Sequence, residues 1–239
     1  MPDDLTRLTI HRKPTAAQPL MGQTILAVED SRFACEALRL LAMRSGARLR
    51  RADCLSSARR HLAVYRPNVV LVDLGLPDGS GLDLIAEIAG SATPPPVVLA
   101  ISGDPGGAGA AAAAGAQGFL EKPVAGLGAF QEAILAHLPE QARPAGPRPI
   151  GVGTVAPDTF ALKDDLAHAA EVLAGRDADE DIDYAAQFVA SVARSAEDAP
   201  LAQAAQRLSD QLAAGAPSED ARGRLARAVQ RRLSESRAI

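Results

Sequence analysis

The sequence predicts a doubly wound α/β fold on a five-stranded parallel sheet, followed by a small all-α module. Three observations carry that prediction. From Gln23 to about Leu138, short apolar runs alternate with amphipathic segments in five successive βα units. A stretch crowded with Pro, residues 139 to 158, ends the alternation. Beyond it no strand-like run recurs, and apolar residues return at helical spacing.

In order, the first unit pairs the run TILAV (24–28) with a helix from Arg32 to Ser45. The second pairs ARLRRA with a helix from Ser56 to Tyr65. The third opens on VVLV (69–72), whose length and β-branching suit a strand buried on both faces, and continues into a helix from Gly81 to about Ala89. VVLAI follows Pro94-Pro95-Pro96 and leads into a short Ala-rich helix. GFL then precedes a helix from about Leu127 to Leu138. Residues 1–21 read as a flexible polar arm and 139–158 as a semi-rigid linker. Residues 159–239 show apolar spacing for four helices, around Leu162–Leu173, Ile182–Val192, Leu201–Leu212 and Leu225–Leu233.

A chain of 239 residues with 47% hydrophobic residues and a net charge of −4 is long enough to bury a core and offers no broad basic face. No apolar run approaches the roughly 20 residues that span a bilayer, and the N-terminus lacks an apolar signal core, so no membrane role and a cytoplasmic location are expected. The two cysteines, Cys35 and Cys54, have no CxxC spacing and read as reduced thiols. Aromatics at 3% and the absence of Trp argue against a stacking surface for single-stranded nucleic acid.

The stretch NVVLVDLGLPDGSG ends a buried strand on Asp73 and runs at once into a Gly- and Pro-rich loop. In open α/β sheets the carboxyl edge of the strands is where ligands bind, although a lone Asp there is equally a turn or cap residue. If the sheet winds as in flavodoxin, the first and third strands meet at the switch point, and Glu29 and Asp30 lie beside Asp73. Three converging carboxylates repel one another unless a divalent cation sits among them, and hard oxygen ligands suit Mg²⁺. The fourth strand delivers Ser102 to that edge and the fifth delivers Lys122. A hydroxyl and an ammonium opposite a metal can hold the oxygens of a phosphoryl group.

In these motifs, residues 22–138 resemble the receiver domain of two-component response regulators. The resemblance rests on Glu29-Asp30 in AVEDSR, Asp73 in VDLGLPDGSGL, Ser102 in AISGD, and Phe119 with Lys122-Pro123 in GFLEKPV. It implies that Asp73 accepts phosphate from a histidine kinase or histidine-phosphotransfer protein. Asp30, Asp73 and the backbone carbonyl of Gly75 would be Mg²⁺ ligands, with Glu29 acting through water. Ser102 and Phe119 would form the switch pair, and Lys122-Pro123 would be a cis peptide. The chain is then a phosphoacceptor, with Mg-dependent self-phosphorylation and dephosphorylation, rather than an enzyme on a separate substrate. Ser102 stands where Thr is commoner, Gly75 where a larger side chain is frequent, and the fourth helix is rich in Gly106, Gly107 and Gly109.

The resemblance ends near residue 138. The last segment carries Arg222, Arg224, Arg227, Arg231 and Arg232, but mostly Arg and Ala, without the polar side chains that read base edges, so DNA is a disfavoured partner. His168 lies in a helix that lacks the Lys and Gly expected after a phosphorylated histidine. The expected output is protein contact. The module has few large apolar residues, so docking or a homodimer would add stability.

Overall fold

The computed structural model describes residues 13–93, 97–124, 126–146, 150–175 and 178–235. Five parallel strands, β1 (Thr24–Val28), β2 (Arg48–Ala52), β3 (Val69–Asp73), β4 (Val97–Ser102) and β5 (Gly118–Glu121), form a sheet in the order β2-β1-β3-β4-β5. Between them run α1 (Arg32–Arg44), α2 (Leu55–Val64), α3 (Gly81–Ala89) and α4 (Gly107–Ala114), and α5 (Leu127–Leu135) follows β5. The period-2 geometry of a strand divides its side chains between two cores. Ile25, Ala27, Val69, Leu71, Leu99 and Ile101 face α1 and α5, whereas Leu26, Val28, Val70, Val72, Val98 and Ala100 face α2 and α3. Every residue of β3 is buried, as its unbroken apolar run requires. ARLRRA forms a strand despite its three arginines because β2 is the sheet edge, where alternate residues reach solvent.

The loop after β3 is built by its small and acidic residues. Gly75–Leu76 pairs antiparallel with Gly79–Ser80, and Gly79 adopts a φ of 141° that favours glycine. Asp78 accepts from the amides of Leu55 at 2.7 Å and Ser56 at 2.9 Å, which satisfies the first turn of α2 where Cys54 offers no side-chain cap. Gly81 opens α3 so close to β3 that a Cβ there would lie 2.0 Å from the Asp73 carbonyl oxygen.

Helices α6 (Thr159–Ala174), α7 (Asp179–Ser195), α8 (Ala199–Ala213) and α9 (Glu219–Glu235) form a bundle in which each touches two neighbours. Its core joins Leu166, Leu173, Ile182, Val189, Leu201, Leu208, Leu225 and Val229 to many buried alanines. Asp158 caps α6, and Asp198 caps α8 while holding Arg232 of α9 at 2.7 Å. The bundle docks on the sheet domain through α6 and α7 against α1.

Two segment boundaries differ from the sequence reading. Within the arm assigned to residues 1–21, residues 1–12 lie outside the described residues, but Leu20 is fully buried in the α1/α5 core and its amide donates to the Ser45 carbonyl. Within the linker assigned to residues 139–158, Val155 is buried in the same core, and Thr154 bridges Gly126 and accepts from Arg44 at 3.1 Å. One apolar side chain with somewhere to go fixes a Pro-rich stretch that composition alone reads as free.

Candidate functional site

The strand order reverses between β1 and β3, and the polar residues collect at the carboxyl edge of that switch point. Glu29 and Asp30 leave β1, and Asp73 ends β3. One carboxylate oxygen from each lies within 4.8 Å of the others. Lys122, just past β5, reaches in with Nζ 2.8 Å from Asp73 Oδ2 and 2.8 Å from Glu29 Oε2. Its amide donates to the Ser102 carbonyl at 2.8 Å, and the Lys122-Pro123 peptide is cis. Arg51 of β2 braces the acidic loop from behind, its Nε 3.1 Å from the Glu29 carbonyl and its Nη2 on that of Asp30.

The site is almost closed to solvent. Glu29, Lys122 and Asp73 are 1%, 4% and 6% exposed. Burial pushes the Glu29 carboxyl well above the usual carboxylate range, with the Lys122 ammonium opposing and Asp73 and Asp30 reinforcing the shift. Asp30 is raised as well, first by burial, against a hydrogen bond from Tyr184. Burial would lower the Lys122 ammonium, but Asp73 and Glu29 together outweigh it and hold it above its ordinary value. Three carboxylates against one ammonium leave a buried cluster short of positive charge. A set of hard oxygen donors with that deficit fits a divalent cation such as Mg²⁺.

The other residues singled out from sequence lie outside the charged cluster. Ser102 Oγ accepts from the Asp104 amide at 3.1 Å, within its own loop. Phe119 is half-buried in the α2/α3 core near Leu74 and Gly107 of α4. Gly75 is exposed, and a Cβ there would meet nothing within 4 Å. His168 is exposed on α6, and Cys35 is buried with its thiol pushed up to about 12, chiefly by desolvation.

Sequence reasoning missed the residues that close the site, all of them in the helical module. Tyr184 of α7 donates its phenol hydrogen to Asp30 Oδ2, and Ser191, two turns further on, accepts from Lys122 Nζ at 3.3 Å. Asp165 of α6 binds the start of α1. The available signal was two polar residues at heptad spacing within the apolar stripe of α7, which does not say what they face.

The fold and the crevice define a doubly wound α/β domain with a buried acidic site at its switch point. Residues 25–134 match the family described as "Response regulator receiver domain", and this segment is a response regulator receiver domain. The KDP operon transcriptional regulatory protein KdpE of Escherichia coli (strain K12) is 30% identical over 126 residues, covering 53% of this chain and 56% of that protein. The transcriptional regulatory protein KdpE of Mycobacterium tuberculosis (strain H37Rv) is 34% identical over 99 residues, covering 41% of this chain and 44% of that protein. The chain thus spans about half the length of the curated relatives it matches. Among solved structures, a response regulator from Burkholderia pseudomallei with a phosphorylated aspartic acid, calcium ion and citrate is 26% identical at a TM-score of 0.43, covering 47% of this chain and 66% of that one. A CheY-like receiver domain from Methylobacillus flagellatus is 30% identical at a TM-score of 0.39, covering 43% of this chain and 87% of that one. The family match leaves the four C-terminal helices unassigned.

Proposed function

We propose that this protein is a two-component response regulator that accepts a phosphoryl group on Asp73 from a histidine kinase or histidine-phosphotransfer protein and signals through contacts of its helical module. The observation that carries this reading is Asp73 at the switch point, 2.8 Å from Lys122 Nζ and grouped with Glu29 and Asp30. In the transfer, an Asp73 carboxylate oxygen attacks the phosphorus of a phosphohistidine. The P–N bond breaks, its electron pair stays on the imidazole nitrogen, and an acyl phosphate forms. Lys122 balances charge on the phosphoryl oxygens, and the crevice, once open to the donor, would hold the reacting atoms in line. Asp30, Asp73 and the Gly75 carbonyl would hold Mg²⁺, with Glu29 acting through water, and the ion would supply further charge neutralisation. Ser102 and Phe119 would report the modification by moving toward the phosphoryl group and inward, respectively.

Treatment with acetyl phosphate and Mg²⁺, read by intact-mass spectrometry, tests the reading. One adduct that disappears in Asp73→Asn is expected; full labelling of that variant refutes it. A transcriptional output is the second reading, favoured by relatives named as transcriptional regulators and by Arg224, Arg227 and Arg231 exposed along α9. Salt-sensitive, sequence-selective DNA binding by the phosphorylated chain would select it over protein contact.

A further inference from the structure

Three side chains of α7 lie against the crevice that holds Asp73 and the loop beyond Ser102. Tyr184 engages an oxygen of Asp30, one of the three carboxylates that converge in the crevice. Ser191 accepts from the Lys122 ammonium at 3.3 Å. Arg194 covers the loop beyond Ser102 so closely that a Cβ on Gly103 would lie 2.6 Å from its Nε. With these contacts in place Asp73 is 6% exposed, too little for an imidazole to align behind a phosphoryl group.

Helix α6 fastens the plug. Asp165, itself 4% exposed, accepts from the Ser31 hydroxyl at 2.8 Å and from the amides of Arg32 and Phe33 at 3.0 Å each. Those donors form the N-terminus of α1, where a carboxylate is favoured by the free amides and the helix dipole. They also follow Asp30 directly in sequence, so the latch and the acidic crevice share one loop. Asp164 adds an ion pair to Arg32 at 2.8 Å.

We propose that the α6–α7 face is an intramolecular plug of the phosphoacceptor crevice, and that Tyr184 competes with the divalent cation for Asp30, so that docking of the module and loading of the site exclude one another. The proposal rests on the phosphoacceptor reading. Asp30 Oδ1 already accepts from the Ser31 amide at 2.9 Å, so a phenol on Oδ2 takes a lone pair and the space that a metal approaching that oxygen would need, and Ser191 takes a hydrogen bond from the ammonium that a phosphoryl oxygen would need. The latch is polar and specific, which gives the chain two discrete arrangements. Linkage then runs both ways. Whatever loads the crevice releases the module, and whatever captures the module opens the crevice.

The full-length chain tests this with Tyr184→Phe, which removes the bond to Asp30 and keeps the ring, and with Asp165→Ala, which removes the latch outside the crevice. Mg²⁺ affinity is read by calorimetry, Asp73 labelling by acetyl phosphate, and module release by hydrogen exchange of α7 with and without Mg²⁺ and beryllofluoride. Both variants are expected to bind Mg²⁺ more tightly and label faster, within the roughly 5- to 150-fold range of coupled sites. In the parent, loading is expected to raise exchange in α7 and at the start of α1. Parent-like affinity and labelling in both variants, with α7 exchange unchanged on loading, would overturn the plug while leaving the phosphoacceptor intact. No adduct in parent or variants would overturn the phosphoacceptor reading and the plug with it.

Discussion

Lys122 and Asp73 meet with Nζ 2.8 Å from Oδ2, and Glu29 takes the same ammonium at 2.8 Å. Two carboxylates lean on one cation where Glu29, Lys122 and Asp73 are only 1%, 4% and 6% exposed. Removal of one member of a buried charge cluster strands the rest.

Lys122→Met should therefore destabilise the metal-free fold by about 3–5 kcal/mol, the cost of an uncompensated buried charge. Millimolar Mg²⁺ should recover part of that loss, because the ion supplies the missing positive charge. Thermal unfolding in chelator and in Mg²⁺ checks it. Equal losses under both conditions would mean that Lys122 acts through packing instead.

Acidic pH should weaken Mg²⁺ binding, and the sign follows from the direction of two shifts. Glu29 and Asp30 are both raised, first by burial, so each keeps its proton to a higher pH than a free carboxyl. A metal needs the ionised forms and must expel those protons. Affinity should be fully present above the raised range and fall as pH drops through it toward the ordinary carboxylate values. The metal-free fold should behave oppositely, gaining stability across the same window as pH falls, because ionisation of a raised carboxyl costs folding energy. Calorimetry in buffers of different ionisation enthalpy reads the protons released. A pH-independent affinity across that window would contradict the placement of these two groups at the metal, Asp30 directly and Glu29 through water.

Gly81→Ala should disrupt the site from behind. The added Cβ would stand 2.0 Å from the Asp73 carbonyl oxygen and 2.9 Å from its carbonyl carbon, contacts with backbone that no rotamer relieves. Overpacking costs roughly 1–3 kcal/mol or more, and here the displaced atoms carry the phosphoacceptor. Lower thermal stability together with slower labelling by acetyl phosphate is expected. Parent-like values in both would mean that α3 can shift without moving β3.

Much of this was legible in the sequence for a physical reason. Strand alternation, the acidic pair after TILAV and Asp73 at the end of VVLV are local patterns, and the parallel winding carries them to one edge. Lys122 follows from the same winding. Tyr184 was not legible, because its partner Asp30 lies 154 positions away and no pattern within α7 points to it. Leu20 and Val155 were missed because each lies in a polar or Pro-rich stretch with too few apolar neighbours for a periodicity argument to detect. The engagement of Ser102 Oγ by its own loop depends on a side-chain rotamer, which sequence does not carry.

Gly75 sets the last prediction, which concerns how long the acyl phosphate survives. The residue is exposed on the short ladder after β3, and a side chain built there meets nothing within 4 Å. Gly75→Met and Gly75→Arg should fold without strain, since the space is open and Gly75 does not hold a left-handed backbone. Gly75 lies two residues beyond Asp73, and either side chain is expected to reach toward the carboxylate and obstruct an attacking water. A tenfold slower loss of phosphate requires only about 1.4 kcal/mol of added barrier. The measurement is the decay of the adduct by mass spectrometry after removal of acetyl phosphate, made in the Tyr184→Phe background as well as in the parent. Slowing in both backgrounds assigns water access to this position. Slowing in neither shows that hydrolysis is governed elsewhere in the crevice.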